Sequence, residues 1–112
     1  MKNNELRIIT ITKDINLLII KSLSNCPKEY IDIKKKVIDE LLNYLKDIYI
    51  ANDISDNNKR KYLKEIVLYK TKYISSLINL LYELKLINNK VYLDISSKID
   101  VLLRLIKGWI KI

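Results

Sequence analysis

Apolar residues return along this chain every three or four positions, the interval that gives a helix one buried face. Ile11, Ile15, Leu18 and Ile19 predict a first helix over about residues 12–24, stopped by Asn25-Cys26-Pro27. The preceding Ile8-Ile9-Thr10-Ile11-Thr12 is β-branched and also suits an extended segment, so the helix is placed from Thr12. A second helix opens behind Pro27 and covers about 28–51, with Tyr30, Ile33, Val37, Leu41, Tyr44 and Ile48 on one face. Asn52-Asp53-Ile54-Ser55-Asp56-Asn57 reads as a turn whose side-chain oxygens can cap the next helix. The third helix, about 56–86, carries the longest stripe, Ile66, Tyr69, Tyr73, Leu77, Leu80 and Leu84, continued by Ile87; this stripe is assigned to the core. Asn88-Asn89 breaks it, and a last helix over about 89–112 turns Tyr92, Ile95, Ile99, Leu102, Ile106 and Trp109 inward.

Four amphipathic segments joined by three short connections predict an all-α fold, an antiparallel up-and-down four-helix bundle forming one domain over residues 1–112. The third helix is apolar on more than one side. At 100° per residue, Val67, Leu68, Ile78, Tyr82 and Leu86 fall well away from the Ile66/Leu84 stripe, and a monomeric bundle needs only one stripe per helix. These five positions are therefore assigned to an oligomer interface.

Composition narrows the chemistry. The 112 residues include no histidine, one cysteine, one glycine and one proline. That leaves no Ser-His or Cys-His pair, no internal disulfide, no glycine-rich phosphate loop and almost no metal site. Paired carboxylates such as Asp39/Glu40 and Asp94/Asp100 lack partners for acid–base work, and Cys26 beside Pro27 is a poor nucleophile. The reading is a non-enzyme with no catalytic residue, no metal and no cofactor. The apolar runs fall short of the roughly 20 residues needed to span a bilayer, and no cleavage site follows the N-terminal run, so a cytoplasmic location is expected.

The formal charge is +8, from 21 basic and 13 acidic residues. Abundant Ile, Asn, Lys and Tyr beside scarce Gly, Ala, Pro and Arg fit an A/T-rich coding bias, which accounts for part of the lysine excess. Its placement says more than its total. Residues 28–52 are neutral, whereas 57–87 carry +5 and 88–112 carry +3. Two clusters stand out as candidate phosphate contacts: Lys59, Arg60, Lys61 and Lys64 at the start of the third helix, and Arg104, Lys107 and Lys111, which fall within about 60° of one another on the fourth. Lys34-Lys35-Lys36 is weaker, since Asp32, Asp39 and Glu40 lie within helical reach. Tyr30, Tyr44, Tyr69, Tyr73 and Tyr92 are assigned to core stripes, leaving Tyr49, Tyr62 and Tyr82 freer. Trp109 reads as an anchor packed on the bundle, with Gly108 allowing a close backbone approach.

Pro27-Lys28-Glu29 opening the second helix, Leu84-Lys85-Leu86-Ile87 before a short turn and Val91-Tyr92, and the closing Leu102-Leu103-Arg104-Leu105-Ile106-Lys107-Gly108-Trp109-Ile110-Lys111 together resemble one family of small four-helix bundles. It comprises the accessory variability determinant (Avd) proteins of diversity-generating retroelements and the proteins encoded within rRNA intervening sequences. The resemblance implies a ring-like homopentamer with a basic surface. It also implies binding to nucleic acid (RNA, DNA or a hybrid) and to the reverse transcriptase of a retroelement, supporting mutagenic cDNA synthesis. It carries over no catalytic residue. Two other readings stay open: an rRNA intervening-sequence protein binding structured RNA, and a plain oligomeric adaptor.

Overall fold

The computed structural model describes residues 3–112; the expected domain also includes Met1 and Lys2, which lie outside the described residues. Four α-helices succeed one another: α1 (Asn3–Ser22), α2 (Ile31–Asp53) after a single 3₁₀ turn at Lys28–Tyr30, α3 (Asn57–Glu83) and α4 (Asn89–Ile110). There is no strand among the described residues.

Loop length dictates the arrangement. Three residues join α2 to α3 and reach only about 10 Å, while α3 is about 40 Å long, so it must run back along α2. Tyr44 accordingly meets Thr71, and Asp47 pairs with Lys70. The same reversal brings Tyr82 onto Tyr92 at one end of the α3–α4 pair and Lys64 onto Trp109 at the other. Contacts link α1 with α2, α2 with α3, α3 with α4, and α4 with α1, with none across the diagonals, which makes a square four-helix bundle of 44 × 24 × 19 Å. The α1–α2 seam is the thinnest of the four.

Each helix gives the core one stripe with the three-four spacing of interlocking helices. The stripes are Val37, Leu41, Tyr44, Ile48 and Ala51 on α2; Lys64, Val67, Thr71, Ile74, Ile78 and Leu81 on α3; and Ile95, Ile99, Leu102, Ile106 and Trp109 on α4. Those of α2 and α4 match the sequence periodicity, apart from half-buried Tyr30, Ile33 and Tyr92. Burial pushes the Tyr44 phenol well above its ordinary value of 10, although its bond to Thr71 pulls the other way, so the core tyrosine stays neutral.

Three expectations about the helices, and one about the glycine, are corrected. First, α1 begins at Asn3 rather than near Thr12. Ile8, Ile9, Thr12, Ile15, Asn16 and Ile19 are all buried on one helical face, and tertiary packing outweighs the weak helix preference of the β-branched run. Second, α3 stops at Glu83 instead of 86. Lys85 adopts a left-handed conformation (φ 62°), and the N–H groups of Lys85 and Leu86 return to Tyr82 O and Leu81 O, both at 2.9 Å. This is a Schellman end made without glycine in a chain that has only one. That glycine, Gly108, has no atom within 4 Å of where a Cβ would stand, so it allows no close approach.

The third correction reverses the faces of α3. Most of the stripe assigned to the core looks outward, with Tyr69 80% and Tyr73 50% exposed, Leu80 also exposed and Ile66, Leu77 and Leu84 half-buried, whereas Ile87 is in the core as expected. Val67 and Ile78, assigned to an oligomer interface, are instead in the core of the chain, and the half-buried Leu68 and Leu86 pack against that core. Tyr82 is stacked on Tyr92, with centroids 4.0 Å apart, and donates its hydroxyl to Asn89 Oδ1. All five positions are thus engaged within the chain. The physical cause is that the true core stripe contains Lys64 and Thr71, which look polar in a periodicity count but are satisfied by partners on other helices.

Candidate nucleic-acid interface

The linker between α2 and α3 is shaped by two side chains. Asp56 caps α3, its Oδ1 accepting the Lys59 N–H at 3.0 Å. Arg60 folds back over the end of α2, where its Nε and Nη2 donate to Ile54 O at 2.9 and 2.6 Å. Because this guanidinium closes the turn, Arg60 is half-buried and only part of its charge faces outward.

One turn further on, Lys64 is 5% exposed. Its Nζ donates to Trp109 O at 3.0 Å and stands 4.9 Å from the centroid of the Trp109 ring. The ammonium therefore serves the carbonyl end of α4, where cations are favoured, and makes a cation–π contact with a fully buried indole. Lys64 is a tie between α3 and α4, which corrects its assignment as a phosphate contact. Trp109 is the anchor expected of it, held by this lysine as well as by the aliphatic core.

The tie brings the two basic clusters to one end of the bundle, although they lie more than forty residues apart in sequence. A hollow of about 500 Å³ opens there, lined by Asn57, Arg60, Lys61, Lys64, Ile110, Lys111 and Ile112, with no acidic side chain among them. Lys59 and Lys61 are exposed at the start of α3; Arg104, Lys107 and Lys111 are exposed along the outer face of α4. Arg104 stands about 10 Å up α4 from Lys111, so the basic surface runs from the hollow along that helix. Of the seven expected contacts, five are free to meet a polyanion, Arg60 is partly engaged, and Lys64 is not available. Asn57 and the two isoleucines lining the hollow escape a search for charge. The burial of Lys64 was readable in principle, since the three-four register of Val67, Thr71 and Ile74 extends backward onto position 64.

A second surface is apolar. Tyr73, Leu77 and Leu80 of α3 meet Ile33, Lys36, Val37, Asp39 and Glu40 of α2 around a groove of about 460 Å³. Tyr62 and Tyr69 extend the exposed side of α3 toward the basic end. Leu6, Leu17, Leu42 and Tyr49 are exposed on α1 and α2. Among the described residues, no group of His, Cys, Asp and Glu could hold a metal ion, and no helix is long and apolar enough to cross a membrane.

Replacing Lys64 with alanine removes a buried stem, a ring contact and a hydrogen bond, and should destabilise the fold by about 2 kcal/mol in thermal or denaturant unfolding. The salt dependence of RNA binding by the folded variant should match the wild type; unchanged stability with weakened binding would return Lys64 to the contact surface. No protein-family model matches the chain, and no curated protein or solved structure matches it either.

Proposed function

We propose that this chain is a non-catalytic, oligomeric subunit that binds nucleic acid through the basic end of its bundle. It would act as an accessory to a reverse transcriptase in the manner of the Avd proteins that its sequence resembles. The observation that carries the reading is the meeting of Arg60 and Lys61 with Lys111 around a hollow lined by no acidic side chain, with Lys59, Lys107 and Arg104 exposed on the same two helix ends. Asp56, Glu65 and Asp100 stand within one helical turn of Lys59, Lys61 and Arg104, but none of them lines the hollow. Such a surface neutralises phosphates without reading bases, so affinity should be independent of sequence and steep in salt. The chemistry of cDNA synthesis would belong to the polymerase.

Assembly into a ring draws support from the apolar surface. The flank of α2 toward α3 carries Ile33, Lys36 and Glu40, so Leu42 and Tyr49, on its other flank, turn toward α1. The exposed side of α3 and the α1–α2 seam are thus unlike surfaces on adjacent sides of a square bundle. Association of unlike surfaces head to tail gives a ring when its rotation closes and a filament when it does not, whereas a two-fold dimer would use one surface twice. A ring would also present one basic end per subunit and raise the effective concentration of every other phosphate site.

Binding of a fluorescent single-stranded RNA across a salt series tests the first part. The slope of log affinity against log salt should be steep in the wild type and shallower by about 2 in the triple variant Arg104→Glu, Lys107→Glu, Lys111→Glu, because each lost contact on a single strand is worth about 0.7. Weak binding that the variant leaves unchanged would mean that the charge is compositional. Sedimentation velocity tests the second part: a species several times 13.3 kDa is expected, and a monomer at all concentrations would overturn the ring.

A further inference from the structure

Midway along the bundle the aliphatic core is interrupted at one level, where Thr12 and Asn16 of α1, Tyr44 of α2 and Thr71 of α3 line a common cavity. The rest of its lining is aliphatic, and its free volume of about 10 Å³ is that of a single water site. All four polar residues are buried, from 1% exposed at Thr12 and Thr71 to 7% at Asn16.

The protons at this level can be counted. Thr71 Oγ1 donates to Val67 O at 2.7 Å, which uses its only hydrogen. The 2.5 Å contact between Tyr44 and Thr71 must then run from the phenol O–H to Thr71 Oγ1. Tyr44 has thereby spent its donor and is left with an acceptor oxygen inside the core. On the opposite wall, Thr12 Oγ1 is fully buried with no hydrogen-bond partner. An acceptor and an unpartnered hydroxyl on residues that line one water-sized space have the needs that a water molecule meets, being donor and acceptor at once.

We infer that this cavity binds one structural water, which donates to Tyr44 Oη and pairs with Thr12 Oγ1. The water joins α1 to the hydrogen-bonded α2–α3 pair across the thinnest seam of the bundle. It also sets register. Sliding α1 by one heptad would move Thr12 and Asn16 away from Tyr44 and bring Ile19 and Leu23 to its level in one direction, or Glu5 and Ile9 in the other, the same device by which one buried polar residue fixes the alignment of paired helices. The site is independent of the basic end and of any partner.

The test is a crystal structure of the wild type at a resolution that places ordered waters, with denaturant midpoints for Thr12→Val and Tyr44→Phe. One ordered water within hydrogen-bond distance of both Tyr44 Oη and Thr12 Oγ1 is expected. The near-isosteric Thr12→Val should lower the midpoint, since a bridging water loses a partner. A dry cavity in the wild type, or a water that touches neither residue, would overturn the inference. The sign of the Thr12→Val shift is a second check: in a dry cavity valine relieves an orphaned hydroxyl and the midpoint rises. Tyr44→Phe keeps the ring in place and should lose the water; a water that persists there undiminished also counts against the assignment.

Discussion

A square bundle admits one stripe of each helix, and the rest of this molecule depends on that limit. Once Val67, Ile74, Ile78 and Leu81 face inward, Tyr69, Tyr73 and Leu80, which lie more than about 100° away around α3, are left exposed. The inward stripe contributes the aliphatic packing that sustains the fold. The outward one leaves Tyr69, Tyr73 and Leu80 exposed, and it is this side of α3 that the proposed ring would use.

The same limit explains why one lysine is buried. The core stripe of α3 meets its last inward position where α4 ends, and the carbonyl groups of a helix end have no partners of their own. Lys64 answers this need from a neighbouring helix, with its stem among apolar groups and its ammonium on Trp109. Capping throughout the chain obeys the same logic in the near absence of glycine. Asp56 and Asn88 cap helix starts, Arg60 holds the Ile54 carbonyl just past α2, and Lys85 accepts a left-handed backbone where glycine is usual. Two of the basic residues that look like binding groups are therefore part of how the fold is closed.

Helix number, order and the inner faces of α2 and α4 were legible because a strict three-four period in those segments marks only one candidate stripe. On α3 two stripes compete, and periodicity ranks them by hydrophobicity alone. The winning stripe includes Lys64 and Thr71, whose burial is made favourable by Trp109 O and Tyr44, groups 45 and 27 residues away in sequence. Pairings at that separation leave no local trace. The start of α1 was hidden for a related reason, since the β-branched Ile8 and Ile9 are helical only because α2 and α4 bury them. Of the basic site, the residue types and both clusters were visible, and the antiparallel course expected of α3 and α4 already brings them to one end; hidden were the partners of Arg60 and Lys64, Ile54 O and Trp109 O.

The central claim is that nucleic acid is held at the end of the bundle where α3 begins and α4 finishes. Lysine-selective methylation read by mass spectrometry, with and without a single-stranded RNA, tests it residue by residue. Protection of Lys59, Lys61, Lys107 and Lys111 is expected, with Lys34 and Lys35, at the far end of α2, equally reactive in both samples. Protection confined to Lys34 and Lys35, or no protected lysine at all under conditions where the RNA is bound, would contradict it.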